Sequence, residues 1–187
     1  MKIYRPVRTN LLCQKFGKKN TIPSVVKLYN SLGLEGHNGF DFTVFCKDNQ
    51  VIHGGLCEPV YMNVSGADLT VCSFQKDDKS GFGINAIDEK GNKYCWWHFD
   101  VLSPEIAVGT KLTFGQQLGI AGNTGMSKGA HVHFGYYPAY ANRNNGYDGA
   151  EDPEPFYDNR FCLEIKSQIE IIQKLIELYK AIINIIK

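Results

Sequence analysis

The chain lacks any stretch of about 20 uninterrupted apolar residues, the length a helix needs to span a bilayer. Its start, Met-Lys-Ile-Tyr-Arg-Pro-Val-Arg, has no apolar secretory core, so no cleaved export signal is expected. It also lacks an excess of either charge: 20 Lys and Arg stand against 19 Asp and Glu, a net charge of +1. That balance argues against a partner held by bulk electrostatics, so no nucleic acid is expected. Six cysteines are present, Cys13, Cys46, Cys57, Cys72, Cys95 and Cys162, yet none falls into a C-x-x-C or zinc-ribbon spacing. At 187 residues and 43% apolar content the chain is too large and too apolar for a disulfide scaffold. Buried, reduced thiols are expected, with a bridge or two left open for a protein that works outside a cell. What is left is an ordinary single core, and any function must come from a local site.

From Gly36 to about Tyr140 the chain consists of short segments rich in Val, Phe, Tyr and Ile, punctuated by Gly and Asn. This texture predicts an antiparallel β architecture, with strands at Val60–Val64, Leu69–Phe74, Gly83–Asp88, Lys93–Asp100 and Ala130–Tyr136. Glu89-Lys90-Gly91-Asn92 reads as a hairpin turn, because Gly takes the positive φ that tight hairpins need. Val108 to Gly125 reads as a Gly-rich looped approach to the Ala130 strand, and Arg143 to Asp158 as loop and linker. Before this region, residues 1–36 are the least legible, with one short helix expected around Val25 to Leu32.

A helix is expected from about Leu163 to the end. Ile165, Ile169, Ile172, Ile176, Tyr179, Ile183 and Ile186 recur at alternating steps of four and three, and Ile171, Leu175, Leu178, Ile182 and Ile185 add a second stripe. Lys166, Glu170, Lys174, Glu177 and Lys180 fall opposite, where Glu170 and Lys174 can pair. Such a face suits docking on its own domain, self-association, a partner, or contact with a membrane surface; charges at every turn exclude a span.

The five histidines carry the chemistry. In Gly36-His37-Asn38-Gly39-Phe40-Asp41, an extended chain would set His37 and Asp41 on one face, since residues of equal parity share a face. The same rule makes His131 and His133 neighbours, with Val132 and Phe134 turned into the core. Two such pairs from different strands can supply three ligands to one ion, leaving the open fourth position that marks a catalytic zinc site. About 0.3 H-x-x-x-D and about 0.1 H-x-H motifs are expected by chance in such a chain, so neither motif suffices alone. His98, in Tyr94-Cys95-Trp96-Trp97-His98-Phe99, would by itself read as a satisfied core residue, and His53 as a surface one.

Taken together, several blocks over residues 36–137 resemble the lysostaphin/LytM-type zinc metalloendopeptidases. These are His37-x-x-x-Asp41, the aromatic-x-His at His98, Gly115-Gln116-Gln117-Leu118-Gly119, and Gly122-Asn123-Thr124-Gly125-Met126-Ser127-x-Gly129-x-His131-Val132-His133-Phe134. The resemblance implies a mainly β fold, an antiparallel sheet flooring a groove walled by short surface loops, with the C-terminal amphipathic helix appended. It implies one Zn²⁺ per chain held by His37, Asp41 and His133, and His98 and His131 as the catalytic pair beside the reacting water. It further implies hydrolysis of peptide cross-links in bacterial peptidoglycan; the alternative is a non-hydrolytic wall-binding or hydrolase-activating module. Two departures stand out: Trp96-Trp97-His98-Phe99 replaces the usual Tyr-x-His-Leu, and Thr43 to Glu58 forms a longer insertion, read as a groove loop. The expected organisation is a lead-in packed on the domain over 1–35, a LytM-like domain over 36–157 and a helix over 158–187. A wall substrate without an export signal implies phage-type release, virion association or non-classical export.

Overall fold

The computed structural model describes residues 1–17, 21–46 and 57–186. Twelve strands and two α-helices follow in the order β1 (Lys2–Arg5), β2 (Leu12–Gln14), α1 (Pro23–Ser31), β3 (Phe40–Thr43), β4 (Pro59–Tyr61), β5 (Val64–Ser65), β6 (Leu69–Asp77), β7 (Gly81–Ile87), β8 (Lys93–Leu102), β9 (Lys111–Leu112), β10 (Gln117–Ala121), β11 (His131–Tyr137), β12 (Tyr157–Phe161) and α2 (Cys162–Ile186) among the described residues. A nine-stranded antiparallel sheet runs β2-β3-β11-β8-β7-β6-β9, with β10 pairing β8 and β4. The fold is mostly β, as the texture of the sequence predicts.

Alternation within the strands builds the core. Phe40, Trp96 and Phe134 are fully buried and occupy one row across three neighbouring strands, through the pairings Phe134↔Phe40 and Phe134↔Trp96. Burial of three such aromatic side chains contributes several kcal/mol by area alone. The next row, Trp97↔His133↔Asp41, shares the opposite face of the same strands. One-residue parity thus separates the core from the site.

Residues Asp88 to Asn92 form the expected turn between β7 and β8, with Gly91 at φ +80°. Asp88 organises it: Oδ1 accepts from the Lys90 and Asn92 N–H groups at 2.9 Å each, and Oδ2 accepts from Asn92 Nδ2 at 2.8 Å and the Tyr94 hydroxyl at 3.1 Å.

Four expectations are corrected. The segment 108–125 is not all loop, because it contributes β9 and β10; these short strands are set by backbone pairing with β6, β8 and β4, which leaves little side-chain pattern. The 143–158 segment ends in a single 3₁₀ turn at Glu154–Phe156 and the start of β12, which pairs in parallel with β1 in a three-stranded sheet β12-β1-β5. The cysteines are not all buried thiols: Cys46 and Cys57 are bonded, and Cys13 and Cys72 are exposed. Val60–Val64 divides into β4 and β5, since Met62 N–H turns to the Gln116 carbonyl. His53 and most of the Thr43 to Glu58 insertion lie outside the described residues; the bonded cysteines stand at its two ends.

Only the first turn of α2 packs on the β domain. Cys162 and Ile165 are buried with Tyr4 and Phe161, and Gly115, at φ +74°, admits Lys166 and Leu163, whose side chains would meet a Cβ there at 2.6 and 3.1 Å. Beyond it, residues 167–182 are exposed on every side. No helix among the described residues is long and apolar enough to cross a membrane.

Candidate metal centre

His37, Asp41 and His133 meet on the floor of a groove of about 1210 Å³. Asp41 and His133 are brought together by register, since β3 and β11 place them directly opposite each other. His133 Nδ1 lies 3.0 Å from Asp41 Oδ1, His37 Nε2 lies 3.0 Å from the same oxygen, and the two nitrogens are 3.1 Å apart. A tetrahedral ion with bonds of about 2.0–2.1 Å separates its ligands by about 3.3 Å, so this triangle fits zinc within a few tenths of an ångström.

The surroundings orient each group. His37 sits in a β-bridge with Gly17 rather than in a strand, and its Nδ1–H donates to the Lys15 carbonyl at 3.2 Å, which leaves Nε2 for an ion. The indole of Trp97 stacks on the His133 ring at 4.7 Å and 11°. Trp97 is held in turn by its Nε1–H donating to Asn85 Oδ1 at 3.3 Å. Gly39 covers the other side of the ring: a Cβ there would lie 2.6 Å from His133 Cε1 and 2.4 Å from the Phe134 carbonyl, so only glycine fits. His133 Nε2 is buried without a hydrogen-bond partner among the described residues, and Nδ1 is the nitrogen aimed at the cluster.

Electrostatics agree with a cation site. Burial works to raise the Asp41 carboxyl, but the neighbouring His37 and His133 overcome it and hold it well below the usual carboxylate range. Burial lowers the His133 imidazole despite its bond to Asp41. The donor set therefore combines imidazole nitrogens with one carboxylate, a set zinc accepts.

His98 and His131 stand beside this triangle with ring centroids 4.5 Å apart. His131 Nδ1–H donates to the Gly129 carbonyl at 2.8 Å, and its Nε2 is 3.8 Å from Asp41 Oδ1. His98 Nδ1–H donates to the Thr124 carbonyl at 2.8 Å. Burial, with the adjacent imidazoles of His131 and His133, pushes His98 down to about 3, so it is neutral near pH 7 with a free Nε2 lone pair.

Simple alternation cannot explain His98. Trp97 faces the site and Phe99 is fully buried, so an unbroken strand would give His98 a face opposite to Trp97. Instead β8 carries an extra residue against β7: Phe82 pairs with Phe99 and Gly83 with Trp97, leaving His98 unpaired in the ladder at φ +69°. This bulge turns two consecutive side chains toward the site. Thr124, whose carbonyl anchors His98, is itself held by its hydroxyl donating to the Phe99 carbonyl at 2.8 Å.

The structure thus brings together all five residues singled out from the sequence. Two other contributors had no signal of their own. Tyr29 on α1 lines the groove with its ring 6.1 Å from that of His37, and burial together with the charge of Asp41 raises its phenol. Lys15 contributes only a backbone carbonyl, which carries no side-chain information.

No protein-family description matches the chain, and no curated protein does. Its fold, however, is that of the lysostaphin/LytM-type, or M23, peptidases. The chain is similar to a zinc-containing peptidase from Vibrio cholerae, at 21% identity and TM-score 0.55 over 82% of this chain and 39% of that one. It is similar to a point mutant of the catalytic domain of the prophage-encoded M23 protein EnpA from Enterococcus faecalis, at 17% and 0.53 over 77% and 88%. The antimicrobial peptidase lysostaphin from Staphylococcus simulans matches at 21% and 0.52, over 83% of this chain and 53% of that one. The chain therefore spans about two fifths of the Vibrio protein and about half of lysostaphin.

Proposed function

We propose that this chain is a zinc-dependent endopeptidase that hydrolyses peptide cross-links of bacterial peptidoglycan. The observation that carries this reading is the triangle of His37 Nε2, Asp41 Oδ1 and His133 Nδ1 at 3.0–3.1 Å, with two further histidines beside it in an open groove. His37, Asp41 and His133 would hold the ion, whose bound form supplies a Lewis acid for the scissile carbonyl and makes water acidic enough to react near pH 7.

The remaining work falls to the chain. His131 and His98 each have Nδ1–H tied to a backbone carbonyl, so each presents Nε2 as the proton acceptor. One takes the proton of the attacking water, and the imidazolium so formed returns it to the departing amine nitrogen. The second, neutral and with its Nε2 lone pair free, accepts a hydrogen bond from the other hydrogen of that water and orients it for attack. Mobile rings would lose this alignment, and their carbonyl anchors prevent that. No Glu of an H-E-x-x-H helix is present, and the histidine pair serves in its place. Groove walls built by α1 and the 126–129 loop would seat the peptide. This reading carries a wall substrate.

The test is cleavage of purified peptidoglycans of distinct cross-link chemistry, with fragments identified by mass spectrometry and zinc measured per chain. One zinc and defined peptide fragments are expected. His98→Ala and His131→Ala should keep the zinc and lose about 10²- to 10⁴-fold in rate. Asp41→Asn should lose the metal. Zinc-loaded protein that cut none of the substrates would overturn the reading.

A further inference from the structure

The apolar face of α2 has no cover within its own chain. Ile172, Leu175 and Tyr179 are 55%, 59% and 66% exposed, and their spacing of three and four continues to Ile182 along one line of the helix. Ile169 and Ile176 flank that line on one side, Ile171 and Leu178 on the other, and all four are exposed. At 100° per residue these stripes together span about 180° of the helix surface, whereas a two-helix seam needs only the central line. In heptad terms the line supplies a and d, and the flanking positions e and g, usually charged, are apolar here as well.

The occupant can be inferred from width, charge and area. One neighbouring helix covers only part of a half-circle arc, so two neighbours per helix are required, and helices with two equivalent neighbours close into a ring of at least three. Residues 162–186 carry three Lys against three Glu, with Lys180 Nζ already 2.8 Å from Glu177 Oε1, so the helix has no cationic excess to draw it onto anionic lipid. Copies of the same neutral helix do not repel. The eight exposed large apolar side chains between Ile169 and Ile182 offer on the order of 100 Å² each, about 800 Å² per helix to be shared between its two neighbours. The domain takes only the start of this line: Ile165, one heptad before Ile172, is buried against it, while Ile172, Leu175, Tyr179 and Ile182 stay exposed beyond it.

We infer that α2 assembles this protein through a bundle of three or more copies, each helix burying its apolar half against two others. The β domains then project outward from one bundle, several grooves to an assembly. The inference is independent of the peptidase reading, because mass is measured whatever the groove does.

Sedimentation of the full zinc-loaded chain, from about 1 to 100 µM and without lipid, tests it. A species of at least three times the 21.0 kDa chain mass is expected. Leu175→Lys combined with Tyr179→Lys should give a monomer that keeps its near-ultraviolet dichroism and zinc, while Lys174→Gln on the polar face should sediment as the unaltered chain does. If the doubly substituted chain loses its dichroism, Ile172→Lys alone provides the same reading at a single exposed site. A monomer or a dimer at the highest concentration overturns the inference. So does a monomer that floats with vesicles of neutral or anionic phospholipid, which would give the face to a membrane surface.

Discussion

The indole of Trp97 lies flat on the imidazole of His133, 4.7 Å between centroids and 11° between planes, in a row that continues to Asp41. The stack restrains rotation of a ring whose Nδ1 must point at the cluster, with Gly39 closing the far side. Trp97→Ala is therefore expected to weaken zinc binding about 10- to 100-fold without removing a ligand. Competition against a chromogenic chelator measures this, and Trp97→Phe, which keeps a stacking face, should recover most of it. Unchanged zinc affinity in a folded Trp97→Ala protein would show that the stack does not orient His133.

His98 occupies a backbone conformation that favours glycine, φ +69°. A non-glycine residue there costs about 1–2 kcal/mol. His98→Gly and His98→Ala should thus be equally poor catalysts, yet the glycine variant should be the more stable by about 1 kcal/mol. Urea unfolding of both proteins gives the comparison. An alanine variant as stable as the glycine variant would remove backbone strain from the account of the bulge.

Asp88 gathers four donors in the β7–β8 turn. Partial burial acts to raise its carboxyl, but the Asn92 side chain and backbone, Tyr94 and the Lys90 N–H outweigh it and hold the carboxyl below its ordinary value of 3.8. A depressed folded value means the stabilisation is complete above the unfolded value and is lost as pH falls through the folded one. Asp88→Ala should therefore cost about 1–2 kcal/mol at pH 7. The gap between the two proteins should close as pH falls below about 4, and denaturant melts at pH 7 and pH 3 measure both.

Cys46 and Cys57 close a loop with a sequence separation of 11. A bridge across so short a loop restricts the unfolded chain by roughly 3 kcal/mol in the loop-closure account. Reduction, or Cys46→Ser with Cys57→Ser, should lower stability by about 2–3 kcal/mol and leave zinc content unchanged, since neither cysteine belongs to the ligand triangle. Thermal melts with and without reductant, beside zinc analysis, check both halves.

How much of this was legible along the chain depended on whether a feature was local. The turn at Asp88, the row of His131 and His133 with Val132 and Phe134 turned inward, and the helical stripes of α2 all follow from periodicity over a few residues. The strands β9 and β10 were missed because Gly-rich segments can pair through backbone while showing almost no alternation. Strand β12 was missed because its parallel partner, β1, lies some 150 residues away. The Cys46–Cys57 pairing was equally invisible, since a count of cysteines says nothing of which two approach.

By itself the sequence determined the mainly β class, the period-two histidine pairs and the amphipathic helix, because side-chain direction in a strand or helix follows from position along it. Tertiary structure alone decided that β3 meets β11 in the register that joins Asp41 to His133. It also decided that the Lys15 carbonyl orients His37, and that a bulge turns His98 out of the core. These depend on which backbones lie side by side, a choice made by the packing of the whole sheet.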